Sequence, residues 1–325
     1  MTDAIRVQLE DRRQLLHSAL ARRRDDDQLN TLLREVDLAL GRVEEGTFGL
    51  CETCHDPIEP ERLAVDPLIR RCLDHLTAEE VRSIERDLRL AGEVQKALLP
   101  RRDIAWGGWE IAYEYLPHSA VSGDYCDVLL PSDAAATPAM VLLGDISGKG
   151  VAASMLMTHL HALVRSTASL GLGLGDLLAR VNRTFCESTL PSHYATMVCA
   201  NLTEAGGVEL ANAGHLPPMI VRDRRVERIE ESGLPIGMFC ASDRRTTGLH
   251  LERGASLVLV TDGLTEAANA ADDQYGLCRL EEVLAAAGAR TAARGVVESI
   301  LHDARRFTSD RPWADDAAVL VARRV

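Results

Sequence analysis

The chain has 325 residues, of which 46% are hydrophobic and 26% charged, and its formal net charge is −13. This length allows two or more domains of ordinary globular composition, and the negative charge argues against broad nucleic-acid binding through phosphate neutralisation. No apolar run reaches the roughly 18 residues of a membrane-spanning helix. The first residues, MTDAIRVQLEDRR, lack the apolar core of a secretory signal. We therefore expect a cytoplasmic protein without a membrane partner.

Two helical patterns open the chain. Apolar residues recur on one broad face over residues 4–21, and at alternating steps of four and three over residues 28–45. The polar stretch RRRDDD at residues 22–27 separates them and predicts a solvated tip. The simplest structure is a helical hairpin.

A cluster of metal-ligand residues follows the hairpin. The segment CETCHDPIEPERLAVDPLIRRCLDH spaces Cys51 and Cys54 by two residues, and Cys72 and His75 likewise. Ligands two residues apart can face one ion from a tight turn, and four such ligands suit tetrahedral zinc. His55 is adjacent to Cys54 and is therefore an awkward alternative ligand. No open coordination position is evident, so we predict one structural Zn²⁺.

The other cysteines are scattered among apolar neighbours, which is typical of reduced and mostly buried side chains. They are Cys126, Cys186, Cys199, Cys240 and Cys278.

Residues 28–76 resemble the DksA/TraR family of zinc-finger transcription regulators, through LGRVEEGTFGLCETCHDPIEPERL and DPLIRRCLDH. Members of that family can use acidic residues at a hairpin tip to act on RNA polymerase. Asp25, Asp26 and Asp27 lie near such a tip here, but this hairpin looks short. RNA polymerase is therefore an open partner, and a solvated turn is the simpler interpretation.

The stretch LTAEEVRSIERDLRLAGEVQKALLP predicts a helix of about six turns. Thr77 and Glu80 form a capping box at its start, and Pro100 marks its end. Six positions repeat at steps of three and four, and only one of them is polar: Val81, Ile84, Leu88, Ala91, Gln95 and Leu98. This seam either packs on the following domain or forms a two-stranded coiled coil in a homodimer. Both are open.

After Pro100, short strand-like runs are grouped rather than alternating strictly with helices, which favours an α+β fold with antiparallel sheets. Eight strand-like runs stand out: EIAYEYL, YCDVLL, AMVLLG, ATMVCANL, GVELANA, PMIVR, SLVLVT and AAVLVAR. Helical patterns occupy about 150–169, 175–189, 278–288 and 293–306.

The stretch VLLGDISGKG raises the question of a nucleotide loop. A phosphate-binding P-loop needs four residues between its glycines and a Ser or Thr after the lysine. Here only three residues separate Gly144 from Gly148, and Gly150 follows the lysine. What remains is Asp145 at the end of a buried strand.

The same arrangement recurs at other strand ends. Asp124 follows a glycine in VSGDYCD, Asp262 ends the apolar run LVLVTDG, and Asp315 precedes the last strand in WADDAAVLV. Converging carboxylates repel one another unless cations neutralise them. Magnesium and manganese prefer such oxygen ligands, and two of these ions can activate water for attack on phosphorus.

At these residues the chain resembles the PPM superfamily of serine/threonine phosphatases, in its SpoIIE/RsbU branch, which is similar to protein phosphatase 2C. The resemblance covers about residues 85–325 and implies an α-β-β-α sandwich of two antiparallel sheets. It rests on LAGEVQKALLP, AVSGDYCDV, LLGDISGKGVAASMLM, ANAGHLPPMI, GLPIGMF, LVTDGLTEA, YGLCRL and DDAAVLV, in family order.

The resemblance assigns roles position by position. Asp145 would bridge two Mn²⁺ or Mg²⁺ ions, and Asp262 and Asp315 would hold the first. The Ile146 carbonyl would bind the second, which Asp124 would serve directly or through water. Four glycines would keep the loops tight: Gly123, Gly144, Gly148 and Gly263. Ser122 replaces a glycine common in the family, and alanines follow Asp316 where a bulkier residue and a threonine are frequent.

Several neighbours of these residues have weaker assignments. Asp127 and Asp316 are expected to support the ligands or the fold. His215 is expected to stabilise its loop, and the alternative is an acid near the site. Lys149 is expected either to contact substrate phosphate or to be solvated.

The leading hypothesis is a metal-dependent phosphatase acting on phosphoserine or phosphothreonine, with a STAS-type anti-sigma-factor antagonist as the substrate that the resemblance implies. The predicted domains are a hairpin with a zinc finger at 1–78, a linker helix at 79–100 and a phosphatase domain at 101–325. The alternative is a regulator that binds RNA polymerase and uses the phosphatase domain as a scaffold.

Overall fold

The computed structural model describes residues 2–22, 26–131, 138–190, 192–240, 244–288 and 291–325. The chain divides into two compact units, Met1–Arg86 and Asp87–Val325, and the boundary falls within a helix. Across the described ranges, no helix has both the length and the apolar character needed to cross a membrane.

The first unit opens with a hairpin of two helices, as the sequence predicts. Helix α1 covers Thr2–Arg22 and helix α2 covers Asp27–Glu45. The start of α1 packs against the second half of α2, which is the pairing of antiparallel neighbours. Their shared core is formed by Ile5, Leu9, Val36, Ala39 and Leu40.

The tip of this hairpin is only partly described, because Asp25 lies outside the described residues. Asp26 is the N-cap of α2, and its carboxylate accepts hydrogen bonds from the backbone amides of Gln28 and Leu29, both at 3.2 Å. This contact satisfies two amides that the helix itself leaves without partners. Asp26 therefore has a structural use at the tip, which agrees with the solvated-turn interpretation.

A compact finger follows the hairpin. It contains helix α3 at Pro60–Val65, a 3-10 turn at Leu73–His75, and an antiparallel bridge between Leu50 and Pro57. Its small core comprises Cys51, Ile58, Leu63 and Cys72. So little apolar surface stabilises a fold weakly unless a cross-link or a metal assists it.

Helix α4 covers Ala78–Leu98 and begins with the predicted capping box. The Thr77 amide donates to the Glu80 carboxylate at 2.7 Å, and the Glu80 amide donates to the Thr77 hydroxyl at 3.2 Å. Along the predicted seam, Val81 and Ile84 are exposed, whereas Gln95 is buried. Burial along the seam therefore increases towards the end of the helix.

The second unit contains two antiparallel sheets. Their strands are β1 Asp103–Trp106, β2 Trp109–Leu116, β3 Tyr125–Leu129, β4 Ala139–Ile146, β5 Ala195–Leu202, β6 Gly207–Ala213, β7 Met219–Arg222, β8 Arg225–Arg228, β9 Thr247–His250, β10 Ser256–Val260 and β11 Ala317–Arg324. The strand orders are β1-β2-β11-β10-β7-β8 in one sheet and β3-β4-β5-β6-β9 in the other.

The sheets pack face to face between two layers of helices. The helices are α5 Gly150–Ala168, α6 Leu174–Ser188, α7 Asp262–Thr265, α8 Gly276–Ala287 and α9 Ala293–Thr308. One core lies between the sheets, a second joins α5 and α6 to the five-stranded sheet, and a third joins α8 and α9 to the six-stranded sheet. The predicted α-β-β-α sandwich is confirmed.

The prediction of reduced cysteines is wrong for two of the five scattered residues. Cys186 and Cys240 form a disulfide with their Cα atoms 5.5 Å apart, and Cys278 is exposed. Helix α6 brings Cys186 to a segment 54 residues later in the chain, a pairing that neither local spacing nor composition indicates. Cys126 and Cys199 are buried and free, as expected.

Candidate functional site

The predicted acids lie at strand ends in the second unit. Asp124 directly precedes β3, and Asp145 is the last residue but one of β4. Asp262 follows β10 as the first residue of α7, and Asp315 lies just before β11. Tyr125 pairs with Gly144, so Asp124 and Asp145 lie at the same end of two adjacent strands. The pairing of β10 with β11 brings Asp262 near Asp315 in the same way.

These carboxylates affect one another electrostatically. Burial raises the pKa of Asp145 to about 7, and Asp262 and Asp315 add to the rise. Burial, and next to it Asp145, raises the pKa of Asp124 well above its usual range. Burial and Asp315 raise the pKa of Asp262. The ionised forms of these acids are therefore disfavoured where the two sheets meet, and a bound cation would stabilise them.

The donor set suits divalent ions. The four acids offer carboxylate oxygens, the ligands that magnesium and manganese prefer. Within the described residues, no three of these carboxylates have oxygens that all lie within 4.8 Å of one another. This spacing is compatible with two ions about 3.5–4 Å apart, because the ligands of two ions are spread over a larger distance than the ligands of one.

The backbone carbonyl oxygen of Ile146 also lies close to these acids. A Cβ on Gly123 would lie 3.4 Å from the Ile146 carbonyl oxygen and 3.6 Å from a carboxylate oxygen of Asp145. The Ile146 carbonyl and the Asp145 side chain therefore meet at the glycine that precedes Asp124. The five positions that the resemblance assigns to divalent metals therefore lie at neighbouring strand ends.

Sequence reasoning missed Thr261, which connects the two sheets at this point. Its hydroxyl donates to the Asp124 carboxylate at 2.9 Å and accepts from the Ala318 amide at 2.8 Å. Thr261 is fully buried. The available signal was its place directly before Asp262 in LVTDG, at the end of a buried strand.

Asp316 holds a loop next to the site. One of its carboxylate oxygens accepts from the His118 amide at 2.7 Å, and the other accepts from the Gly123 amide at 2.9 Å. The residue beside a predicted ligand therefore fixes the loop that carries Asp124. This is the supporting role expected from its position.

Lys149 reaches the acids from the loop after β4. Its ammonium lies 2.6 Å from an Asp315 carboxylate oxygen and donates to the Ala314 carbonyl at 3.3 Å. The hydrogen bond to Asp315 raises the pKa of Lys149. Lys149 is therefore a cation at the site, although most of its side chain is exposed.

Asp127 and His215 have structural contacts instead. Asp127 is fully buried and accepts two hydrogen bonds from Arg165, at 2.8 and 2.9 Å. His215 contacts the Thr196 hydroxyl at 2.9 Å and the Val260 carbonyl at 3.1 Å. Burial lowers the pKa of His215 to about 4, so its ring is neutral at pH 7 and joins the two sheets.

The predicted zinc ligands form one compact group in the first unit. The ligand atoms of Cys51, Cys54, Cys72 and His75 all lie within 4.8 Å of one another. The Cys54 and Cys72 sulfurs are 3.8 Å apart, and the Cys72 sulfur is 3.2 Å from His75 Nδ1. Sulfurs bound to one tetrahedral zinc at about 2.3 Å lie about 3.8 Å apart. Three thiols and an imidazole therefore fit a closed zinc site.

Two family models match parts of the chain. The model of the Stage II sporulation protein E (SpoIIE) family matches residues 136–325, more than half of the chain. The chain belongs to the SpoIIE family. A second model, the prokaryotic dksA/traR C4-type zinc finger, matches residues 46–74. That match ends one residue before His75, the predicted fourth ligand.

Relatives and solved structures extend the family assignment. The chain is 25% identical over 257 residues to the phosphoserine phosphatase RsbU of Bacillus subtilis, covering 77% of this chain and 74% of the relative. The SiaA PP2C domain of Pseudomonas aeruginosa superposes with a TM-score of 0.65 at 18% identity, covering 76% of this chain and 99% of that domain. At this identity the likeness shows the fold alone.

A third match comes from Mycobacterium tuberculosis. The structure of the RsbU and RsbW domains of Rv1364c superposes with a TM-score of 0.57 at 25% identity, covering 70% of this chain and 61% of that one. Family, relative and fold together identify a PPM-type serine/threonine phosphatase, a metal-dependent class.

One close approach in this SpoIIE-family site is directly testable. A Cβ on Gly263 would lie 1.8 Å from the Asp316 carbonyl oxygen, so Gly263→Ala must displace the backbone beside Asp315. We expect destabilisation by about 1–3 kcal/mol, the usual cost of overpacking, measured by denaturant unfolding. The matched control is Gly248→Ala in β9, where nothing lies within 4 Å. Equal unfolding midpoints for the two variants would contradict the prediction.

Proposed function

We propose that residues 101–325 hydrolyse phosphoserine or phosphothreonine on a protein, using two Mn²⁺ or Mg²⁺ ions. Asp145 would bridge the ions, Asp262 and Asp315 would hold one, and Asp124 with the Ile146 carbonyl would hold the other. The observation that carries this proposal is the convergence of four acids at neighbouring strand ends. In three of them, Asp124, Asp145 and Asp262, burial and neighbouring carboxylates raise the pKa.

When bound, the two ions would activate a water molecule for attack on phosphorus and neutralise the charge of the phosphoryl group. The chain's own residues prepare that site. The Thr261 hydroxyl orients the Asp124 carboxylate, and Asp316 fixes the loop that carries it. Lys149 adds a positive charge beside Asp315, where it can attract the anionic phosphate of a substrate.

The proposed substrate is a phosphorylated STAS-type anti-sigma-factor antagonist. The B. subtilis relative is a phosphoserine phosphatase, and the M. tuberculosis structure contains RsbU and RsbW domains. Both support a place in a partner-switching pathway, where a phosphatase resets a phosphorylated regulator.

We further propose that residues 1–78, with one structural Zn²⁺, form the regulatory module. Residues 79–100 would link it to the phosphatase domain. The exposed Val81 and Ile84 on α4 support a homodimer through this helix.

A second candidate function follows from the dksA/traR finger match: binding of RNA polymerase by the first unit. A pull-down with the full-length chain tests it, and Asp26→Ala is the variant of interest at the hairpin tip. Failure of the wild-type chain to retain polymerase contradicts this candidate.

The phosphatase proposal is tested by turnover of a phosphoserine peptide from a STAS protein, compared with a generic aryl phosphate. Assays of the full-length chain contain Mn²⁺, Mg²⁺ or a chelator. We expect divalent-ion-dependent release of phosphate that the chelator abolishes. Release of phosphate that is indifferent to all three conditions contradicts the two-metal assignment. Turnover of the aryl phosphate alone contradicts the proposed substrate.

A further inference from the structure

Gln95, in the last turn of α4, makes a paired contact with the loop before Asp124. Its side-chain Nε2 donates to the Ser122 carbonyl at 2.9 Å, and its Oε1 accepts from the Ser122 amide at 3.0 Å. Gln95 is 7% exposed and Ser122 is 1% exposed. Both backbone groups of Ser122 therefore have their partners in a single side chain. This explains why the one polar residue of the predicted seam is buried.

A second contact on the same face of α4 holds the helix against this loop. Gly92, one turn before Gln95, is buried, and a Cβ there would lie 2.2 Å from the Ala120 carbonyl oxygen. Only glycine allows the helix backbone to come so close. The approach at Gly92 and the hydrogen bonds at Gln95 together fix α4 along residues 120–122.

The loop passes this restraint directly to Asp124. The Asp124 amide donates to the Ser122 hydroxyl at 3.1 Å, and the Gly123 amide donates to Asp316 at 2.9 Å. On its far side the Asp124 carboxylate accepts from Thr261. Three residues therefore fix the position of Asp124. Thr261 and Asp316 lie at strand ends, and Gln95 lies on the linker helix.

We propose that Gln95 is a positioning residue for Asp124, and that its two hydrogen bonds to Ser122 raise the affinity for the divalent ion that Asp124 would hold. This inference rests on the proposed two-metal function. Loss of the Gln95 amide leaves a buried amide and a buried carbonyl of Ser122 without partners, and this favours a rearranged loop. Residues that orient a metal ligand typically contribute about 10–100-fold to metal affinity.

The test uses the full-length chain and measures Mn²⁺ binding by titration calorimetry without substrate. Gln95→Met keeps the length and bulk of the side chain and removes both hydrogen bonds. We expect it to weaken Mn²⁺ binding by about 10–100-fold at one of the two sites. The Mn²⁺ concentration for half-maximal turnover should rise by the same factor, and excess Mn²⁺ should restore most of the turnover.

Two further variants separate positioning from general damage. Gln95→Glu keeps the acceptor for the Ser122 amide but sets a carboxylate oxygen against the buried Ser122 carbonyl, so its Mn²⁺ affinity should also fall below that of the wild type. Glu93→Ala changes an exposed residue of the same turn and should bind Mn²⁺ like the wild type. If Gln95→Met does not fold, the Mn²⁺ affinity of Gln95→Glu decides.

Wild-type Mn²⁺ affinity in folded Gln95→Met, or in Gln95→Glu, overturns the positioning role while leaving the proposed function intact. A wild-type chain that neither binds Mn²⁺ nor releases phosphate contradicts the proposed function itself, and with it the role of Gln95.

Discussion

Replacing Asp145 with asparagine is expected to lower turnover of a phosphoserine peptide by about a thousandfold, which corresponds to about 4 kcal/mol of barrier height. Asparagine keeps the shape of the side chain and removes the charge. Asp145 interacts electrostatically with all three of the other acids, Asp124, Asp262 and Asp315. Its charge is therefore central to the proposed site. The measurement is kcat at saturating Mn²⁺, together with the number of Mn²⁺ ions bound per chain.

The matched control is Asp176→Asn, the same chemical change at an exposed position in the first turn of α6. It should leave turnover unchanged. The Asp145 variant should also be at least as resistant to unfolding as the wild type when no metal is present, because a buried source of repulsion is gone. Turnover within tenfold of wild type in Asp145→Asn would remove this residue from the bridging position.

Replacing Cys72 with serine should abolish zinc binding and unfold the finger. Among the described side chains, the fully buried part of the finger core is Cys51, Ile58, Leu63 and Cys72. Two of these are also predicted zinc ligands. Structural zinc sites contribute about 10–16 kcal/mol of apparent binding free energy in isolated fingers. Without the ion, so small a core does not offset the entropy of ordering residues 46–76. Zinc content per chain and protease cleavage within this segment are the measurements.

Cys278→Ser serves as the control, because it removes an exposed thiol of the second unit and should retain one zinc per chain. Phosphatase turnover of the Cys72 variant then reports how the finger acts on the enzyme. Higher turnover indicates that the folded finger inhibits, and lower turnover that it activates. One bound zinc in Cys72→Ser, with intact protease resistance, would contradict the assigned ligand set.

Much of the fold could be predicted from the sequence, because buried strands and amphipathic helices leave strong patterns. The missed strands β1, β8 and β9 explain the limit. Each has four residues, lies at the edge of a sheet and alternates between exposed and half-buried positions. Such strands need little apolar character, since only one side of the backbone pairs with a neighbour. Their pairing is decided by the sheet that they join.

The acids of the site were predictable because each follows or precedes an apolar run. Thr261 was not, because its role depends on contact with Asp124, 137 positions earlier in the chain. The helical pattern shows Gln95 only as a polar position in an apolar seam. In the structure its side chain binds the backbone of Ser122. Side chains that serve another residue's backbone leave no periodic signal, so only the folded structure reveals them.

The two cysteine arrangements respond in opposite ways to redox conditions. Zinc binding needs Cys51, Cys54 and Cys72 as free thiolates, which a reducing solution preserves. The same solution opens the bond between Cys186 and Cys240. Asn182 on α6 still holds the two segments together by hydrogen bonds. Its Oδ1 accepts from the Gly237 amide at 2.9 Å, and its Nδ2 donates to the Phe239 carbonyl at 2.8 Å. A reductant chosen to protect the finger therefore changes the covalent state of the phosphatase unit, and oxidised and reduced preparations of this protein are chemically different samples.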